Sequence, residues 1–168
     1  MRVFVFCMMV SFPVHLSWAA EPALNFKAEV ESAKMNVAHN PDKGLFEKGP
    51  KGSLIVYFAS WCGFCRGEMP QVNQIYERAS QCGVNVIGVA VEKEQEATAK
   101  AVKDWKIRFP VIQDLDGRLK KFASVRKIPA LYLLDENGAV VESQVTTAGI
   151  QSFYSKVNDR LKAAGCKL

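Results

Sequence analysis

The stretch Leu54-Ile55-Val56-Tyr57-Phe58-Ala59-Ser60-Trp61-Cys62-Gly63-Phe64-Cys65 decides how the rest of the chain is read. Its first five residues are all apolar, mostly β-branched or aromatic, with no polar alternation. Such a run fits a strand buried on both faces, inside a mixed or parallel sheet. Ala59-Ser60-Trp61 then leads into a helix expected from Cys62 to Ser80, where Val72, Ile75, Tyr76 and Ala79 keep helical spacing. The two cysteines therefore sit where a buried strand hands over to a helix. Two intervening residues let their sulfurs meet across the first turn. Cys62 falls at the helix N-terminus, where unpaired N–H groups and the helix dipole favour negative charge. That setting lowers a thiol pKa below the free value of about 8.5 and yields the thiolate that attacks disulfides. Cys65, deeper in the helix, is the candidate to resolve the resulting mixed disulfide.

Two plainer readings compete with redox chemistry. A zinc site needs about four ligands, commonly a second C-x-x-C or paired histidines. No second pair at short spacing follows, and His39 is the only histidine beyond the first twenty residues, so no metal and no cofactor are expected. A purely structural disulfide between Cys62 and Cys65 stays open on the residues alone.

Outward from this segment, Gly49-Pro50-Lys51-Gly52 breaks the chain ahead of the strand. Before it, residues Phe26 to Ala38 are expected to form one helix, Asn40-Pro41-Asp42-Lys43-Gly44 a turn, and Leu45 to Lys48 a second helix or loop. Downstream, Cys82-Gly83 stops the helix, and Val84 to Val91 is a second apolar strand. A helix over Glu94 to Trp105, a short strand over Phe109 to Ile112, a turn at Asp114 to Gly117 and a short helix over Arg118 to Ser124 follow. Strands over Ala130 to Leu134 and Ala139 to Val145 flank Asp135-Glu136-Asn137-Gly138, a hairpin signal because Asn-Gly accepts positive φ. The closing helix, Ile150 to Ala163, carries Ile150, Phe153, Val157 and Leu161 on one face. Strands alternating with helices, then an antiparallel hairpin and a last helix, describe an α/β domain with a mixed sheet.

The first residues read as an address. Met1-Arg2 gives a short positive start, Val3 to Val10 is an almost unbroken apolar run, and Ser17-Trp18-Ala19 places small residues around a cleavage point after Ala19. This order is that of a secretory signal peptide, and Pro13 and His15 break the run too early for a comfortable membrane span. The expected division is a signal peptide over 1–19, an N-terminal extension over 20–52 and the folded domain over 53–168. An exported, periplasmic location follows, with a membrane-anchored form as the alternative. The net charge of +5 becomes about +4 without Arg2 and is scattered, with Lys120-Lys121 and Arg126-Lys127 its only doublets. That balance gives no basis for nucleic-acid binding, and a monomer is expected. Beyond the signal, Cys62, Cys65, Cys82 and Cys166 remain, an even count that suits disulfides in an oxidising compartment.

The segment Phe58 to Cys65 resembles the active-site segment of the thioredoxin superfamily. Pro70, five residues after Cys65, stands where thioredoxins kink the active-site helix, and Ile128-Pro129 resembles the cis-proline segment that faces the cysteines. The resemblance implies a thioredoxin fold in which the backbone of Ile128 pairs with a substrate strand and Trp61 and Phe64 border the substrate surface. Sixty-three residues lie between Cys65 and Pro129, more than in small thioredoxins, and hold an extra helix and strand. With Cys65-Arg66-Gly67-Glu68-Met69-Pro70 matching a C-x-x-E-x-P pattern, the chain is similar to the TlpA/ResA-like branch, which includes cytochrome c maturation thioredoxins. It departs from that branch at the front, where residues 25–51 show no β-hairpin leading into the sheet. Small thioredoxins place an aspartate in the central strand as a proton acceptor. The matching position here is Val56, which makes Glu68, three residues after Cys65, the candidate acid, against the reading of a solvated helix charge.

In a thioredoxin fold the active-site helix and the last helix share one face of the sheet and run away from the catalytic end. Their expected lengths of about 27 Å and 24 Å bring Cys82 and Cys166 together, so a structural Cys82–Cys166 disulfide is expected, with two unpaired thiols as the alternative. The resemblance further implies client protein thiols and disulfides as partners and a membrane thiol–disulfide protein as electron donor. Reduction of client disulfides is the favoured direction. An oxidase or isomerase of the Dsb kind is the alternative, and a copper-binding chaperone, which would space its cysteines more widely and add a histidine, is disfavoured.

Overall fold

The computed structural model describes residues 25–33, 37–39 and 51–167. Along the chain run α1 (Phe26–Ala33), β1 (Val37–His39), β2 (Ser53–Phe58), α2 (Gly63–Ala79), β3 (Asn85–Ala90) and α3 (Gln95–Asp104). Then come β4 (Val111–Gln113), α4 (Arg118–Phe122), β5 (Ala130–Leu134), β6 (Val140–Val145) and α5 (Ile150–Ala163). The strands form one six-stranded sheet in the order β1-β4-β3-β2-β5-β6. Parallel pairing joins β2 to β3 and β3 to β4, while β2–β5, β5–β6 and β1–β4 are antiparallel. This mixed sheet flanked by helices is an α/β architecture of the expected class.

The position of β2 explains its composition. Paired on both edges and covered on both faces, all six of its residues are buried. Leu54, Val56 and Phe58 point into a core completed by Met69, Val72 and Ile75 of α2 and Phe153, Val157 and Leu161 of α5. Ile55 and Tyr57 point the other way, against Phe26 and Val30 of α1 and Leu119 of α4. The period of two between the faces is the pleat itself. In the neighbouring strand, Gly88 is where aromatic rings close in. A Cβ there would lie 2.9 Å from Phe109 Cε2 and 3.1 Å from Phe58 Cε1.

Several boundaries move, each for a local reason. The helix expected through Ala38 ends at Ala33, and Val37–His39 instead pairs antiparallel with β4, Val37 opposite Ile112. Three residues carry no readable period, and the pairing is supplied by a partner strand over seventy residues away. The front of the chain thus contributes an edge strand, and α1 packs Phe26 and Val30 into the core of the domain, ahead of Ser53. The turn expected at 40–44, the segment 45–48 and the signal peptide lie outside the described residues.

The strand expected from Phe109 begins at Val111 because Pro110 has no N–H for the ladder. Pro110 still accepts from Gly88 N–H at 2.9 Å. At the hairpin, Gly138 takes φ 82° and Asn137 does not share it. The turn is instead organised by Asp135, whose Oδ1 accepts from the N–H groups of Asn137 and Ala139, each at 2.9 Å.

Candidate active site

Cys62 is the N-cap residue of α2, with φ −88° and ψ 95°, just outside the first helical residue. Its N–H donates to Ala59 O at 2.9 Å and its carbonyl accepts from Arg66 N–H at 3.2 Å, which fixes the junction between strand and helix. Its sulfur accepts from Cys65 N–H at 3.2 Å, the place an oxygen fills in an ordinary N-cap. Cys62 and Cys65 form a disulfide with S–S 2.04 Å and a Cα–Cα distance of 5.2 Å. Cys62 is 6% exposed and Cys65 fully buried, so an incoming group meets Cys62 first. The helix N-terminus that would stabilise a thiolate thus holds the sulfur nearer to solvent.

Trp61 and Phe64 flank the pair and are 72% and 73% exposed. Rings this open are unusual in a folded surface unless something docks on them. They form one side of a cleft of about 500 Å³ whose other side is Ile128, Pro129, Thr146 and Thr147. The Ile128–Pro129 peptide is cis. Pro129 O accepts from Thr146 N–H at 2.8 Å, tying this loop to the end of β6. Among the described residues neither the N–H nor the C=O of Ile128 takes a backbone partner, which leaves both available to an added strand.

Glu68 sits one turn after Cys65 on α2, and its Oε2 accepts from the Tyr154 hydroxyl at 2.8 Å. Tyr154 is buried in α5, and burial together with the adjoining carboxylate pushes its phenol far above the ordinary tyrosine range. A positioned carboxylate is therefore present one turn along α2 from Cys65, held by a helix that sequence reasoning did not connect to it. Tyr154 is adjacent to Phe153 on the amphipathic face, and the sequence signal for it is no more than an aromatic residue at a core position. Glu92 was also missed. It follows β3, is buried, and accepts from the N–H of Ser60 in the loop leading to Cys62. A carboxylate at a strand end reads in sequence as a solvated charge.

At the opposite end of α2 and α5, Cys82 and Cys166 form a second disulfide, with a Cα–Cα distance of 5.1 Å. Pro70 lies inside α2.

The family model described as the AhpC/TSA family matches residues 19–143. The chain belongs to the AhpC/TSA family. Within it, the chain is 27% identical over 110 residues to the thiol-disulfide oxidoreductase ResA of Bacillus thuringiensis subsp. konkukian, covering 64% of this chain and 64% of that protein. The match thus spans just under two thirds of that relative's length. Among solved structures this AhpC/TSA member is similar to a putative thiol:disulfide interchange protein DsbE from Chlorobium tepidum. That likeness has TM-score 0.63 and 25% identity, over 68% of this chain and 82% of the other. It is also similar to StoA from Bacillus subtilis, with TM-score 0.55 and 26% identity over 65% and 84% of the two chains. The fold of this AhpC/TSA member is the thioredoxin fold.

Proposed function

We propose that this AhpC/TSA-family chain is an exported thiol–disulfide oxidoreductase that reduces the disulfides of client proteins through Cys62 and Cys65. The observation that carries this reading is the Cys62–Cys65 disulfide at the mouth of α2, its outer sulfur beside an open cleft and its inner sulfur buried. In the reduced protein, the Cys62 thiolate attacks one sulfur of a client disulfide. A Cys62–client bond forms and the first client thiolate leaves. Cys65, deprotonated, then attacks Cys62 Sγ, forming the Cys62–Cys65 disulfide and releasing the second client thiolate. Two electrons pass to the client. Glu68, oriented by Tyr154, is the acceptor for the Cys65 proton in this scheme. Ile128 holds the client strand, and Trp61, Phe64 and Pro129 form the walls against which it lies. A membrane thiol–disulfide protein would return the electrons.

Names of the relatives support exchange chemistry, and Gly63 after Cys62 and Ile128 before Pro129 support the reductive direction. Export rests on the signal peptide over 1–19. No helix among the described residues is long and apolar enough to cross a membrane. Within this reading Cys82–Cys166 is structural, since it lies at the far ends of α2 and α5 from Cys62.

Two measurements test the proposal. A reductant of the thioredoxin kind has a potential near about −270 mV, whereas an oxidant lies near about −120 mV; the value expected here is close to the first. In cell extracts, Cys65→Ser is expected to accumulate dithiothreitol-sensitive adducts on Cys62, and the same variant carrying Cys62→Ser none. Failure to form any adduct would sink the assignment.

A further inference from the structure

Among the described residues, the cleft beside the disulfide is lined by Lys120, Arg126 and Lys127 and by no acidic side chain. All three cations are exposed. None has an ion-pair partner among the described residues. Across Trp61 and Lys120 lies a second groove that does contain carboxylates. Two of these, Glu92 and Asp114, are buried and accept backbone N–H groups, Glu92 from Ser60 and Asp114 from Leu119 and Lys120. The exposed charges of that groove balance, Glu94 and Asp116 against Lys93 and Lys120. Lys120 borders both grooves, so the cations that no exposed carboxylate of either groove offsets are Arg126 and Lys127, on the side of the cleft that holds the cis-proline.

A chain laid along the free backbone of Ile128 would set one side chain against Trp61 and Phe64. Its neighbours would then lie within a screening length, about 10 Å at ordinary salt, of the three cations. We propose that the cleft selects client segments in which the reactive cysteine is flanked by aspartate or glutamate, with an apolar residue alongside. This inference rests on the reading of Cys62 and Cys65 as the exchanging pair. Charge of one sign around an otherwise apolar cleft raises the rate of encounter with a partner of opposite sign and rejects like-charged ones.

The experiment uses the reduced protein and three synthetic peptides. Each carries one cysteine as its mixed disulfide with 2-mercaptoethanol, flanked by a leucine and by glutamates, glutamines or lysines. Neutral bis(2-hydroxyethyl) disulfide serves as a fourth substrate. At about 10 mM ionic strength the glutamate peptide is expected to exchange at least about tenfold faster than the lysine peptide, and the ratio to shrink towards one near about 0.5 M. In Lys120→Gln/Arg126→Gln/Lys127→Gln the low-salt ratio is expected to collapse in the same way, while the salt series on the unaltered protein needs no variant to fold. Equal or reversed rates, a ratio that salt leaves unchanged, or a ratio that survives the triple substitution overturns the charge selection alone. Exchange with none of the four disulfides overturns the oxidoreductase reading and the selection with it.

Discussion

At the residue scale the proposed proton acceptor is held by one hydrogen bond between helices. Tyr154 donates to Glu68 Oε2 at 2.8 Å, so α5 holds the carboxylate that α2 presents near Cys65. Removing the hydroxyl in Tyr154→Phe leaves that carboxylate without its donor. The expected loss is about 1–2 kcal/mol, read as a lower urea midpoint at unchanged slope. Glu68→Gln keeps an oxygen for Tyr154 and removes the proposed base. It should cost little stability but slow resolution of the Cys62 mixed disulfide by on the order of 10²-fold, while the first attack by Cys62 keeps its rate. Stopped-flow measurement of the two steps separates them. Equal slowing of both would mean that Glu68 acts on Cys62 or on the fold and not on Cys65. The cysteine pair was readable because its spacing and its junction are local. Tyr154 and Glu92 were not, because their roles exist only once α5 and β3 have been brought against α2 and its leading loop.

At the scale of elements, legibility followed length and period. The buried run Leu54–Phe58 and the long helices at 63–79 and 150–163 each carry enough residues to show their geometry in the chain. α1 was read past its end, and β1 was not read at all: its three residues are held by pairing with β4, Val37 opposite Ile112, and their own pattern is silent. The same dependence on partners makes β3 sensitive at one point. Gly88 faces Phe109 and Phe58 across a gap that a methyl group would overfill. Both rings are fully buried and cannot swing into solvent. Gly88→Ala is therefore expected to cost about 1–3 kcal/mol through displaced rings. Denaturant unfolding checks this, and shortening Phe109 to leucine in the same chain should recover part of the loss. No recovery would place the strain elsewhere.

The whole molecule responds to base through phenols spread over its core. Tyr57 is fully buried and donates to Leu119 O at 3.1 Å, and burial, with the Asp114 carboxylate nearby, holds its pKa far above the ordinary value. Tyr154 is raised by burial and by Glu68, and Tyr132 more mildly by burial alone. In the unfolded chain these groups ionise near about pH 10, whereas in the folded protein they keep their protons. The folded state then binds more protons than the unfolded one, so stability falls as pH rises past about 10 and is fully present below it. Tyr57 and Tyr154 each contribute up to about 1.4 kcal/mol per pH unit in that window. Tyr132, nearer to solvent, contributes less. Urea unfolding between about pH 9 and pH 11 should show a stability that declines with pH. Relative to the unaltered protein, Tyr57→Phe and Tyr154→Phe should each flatten the decline by one proton's worth. Slopes identical in all three proteins would mean that the buried phenols are not what couples folding to base.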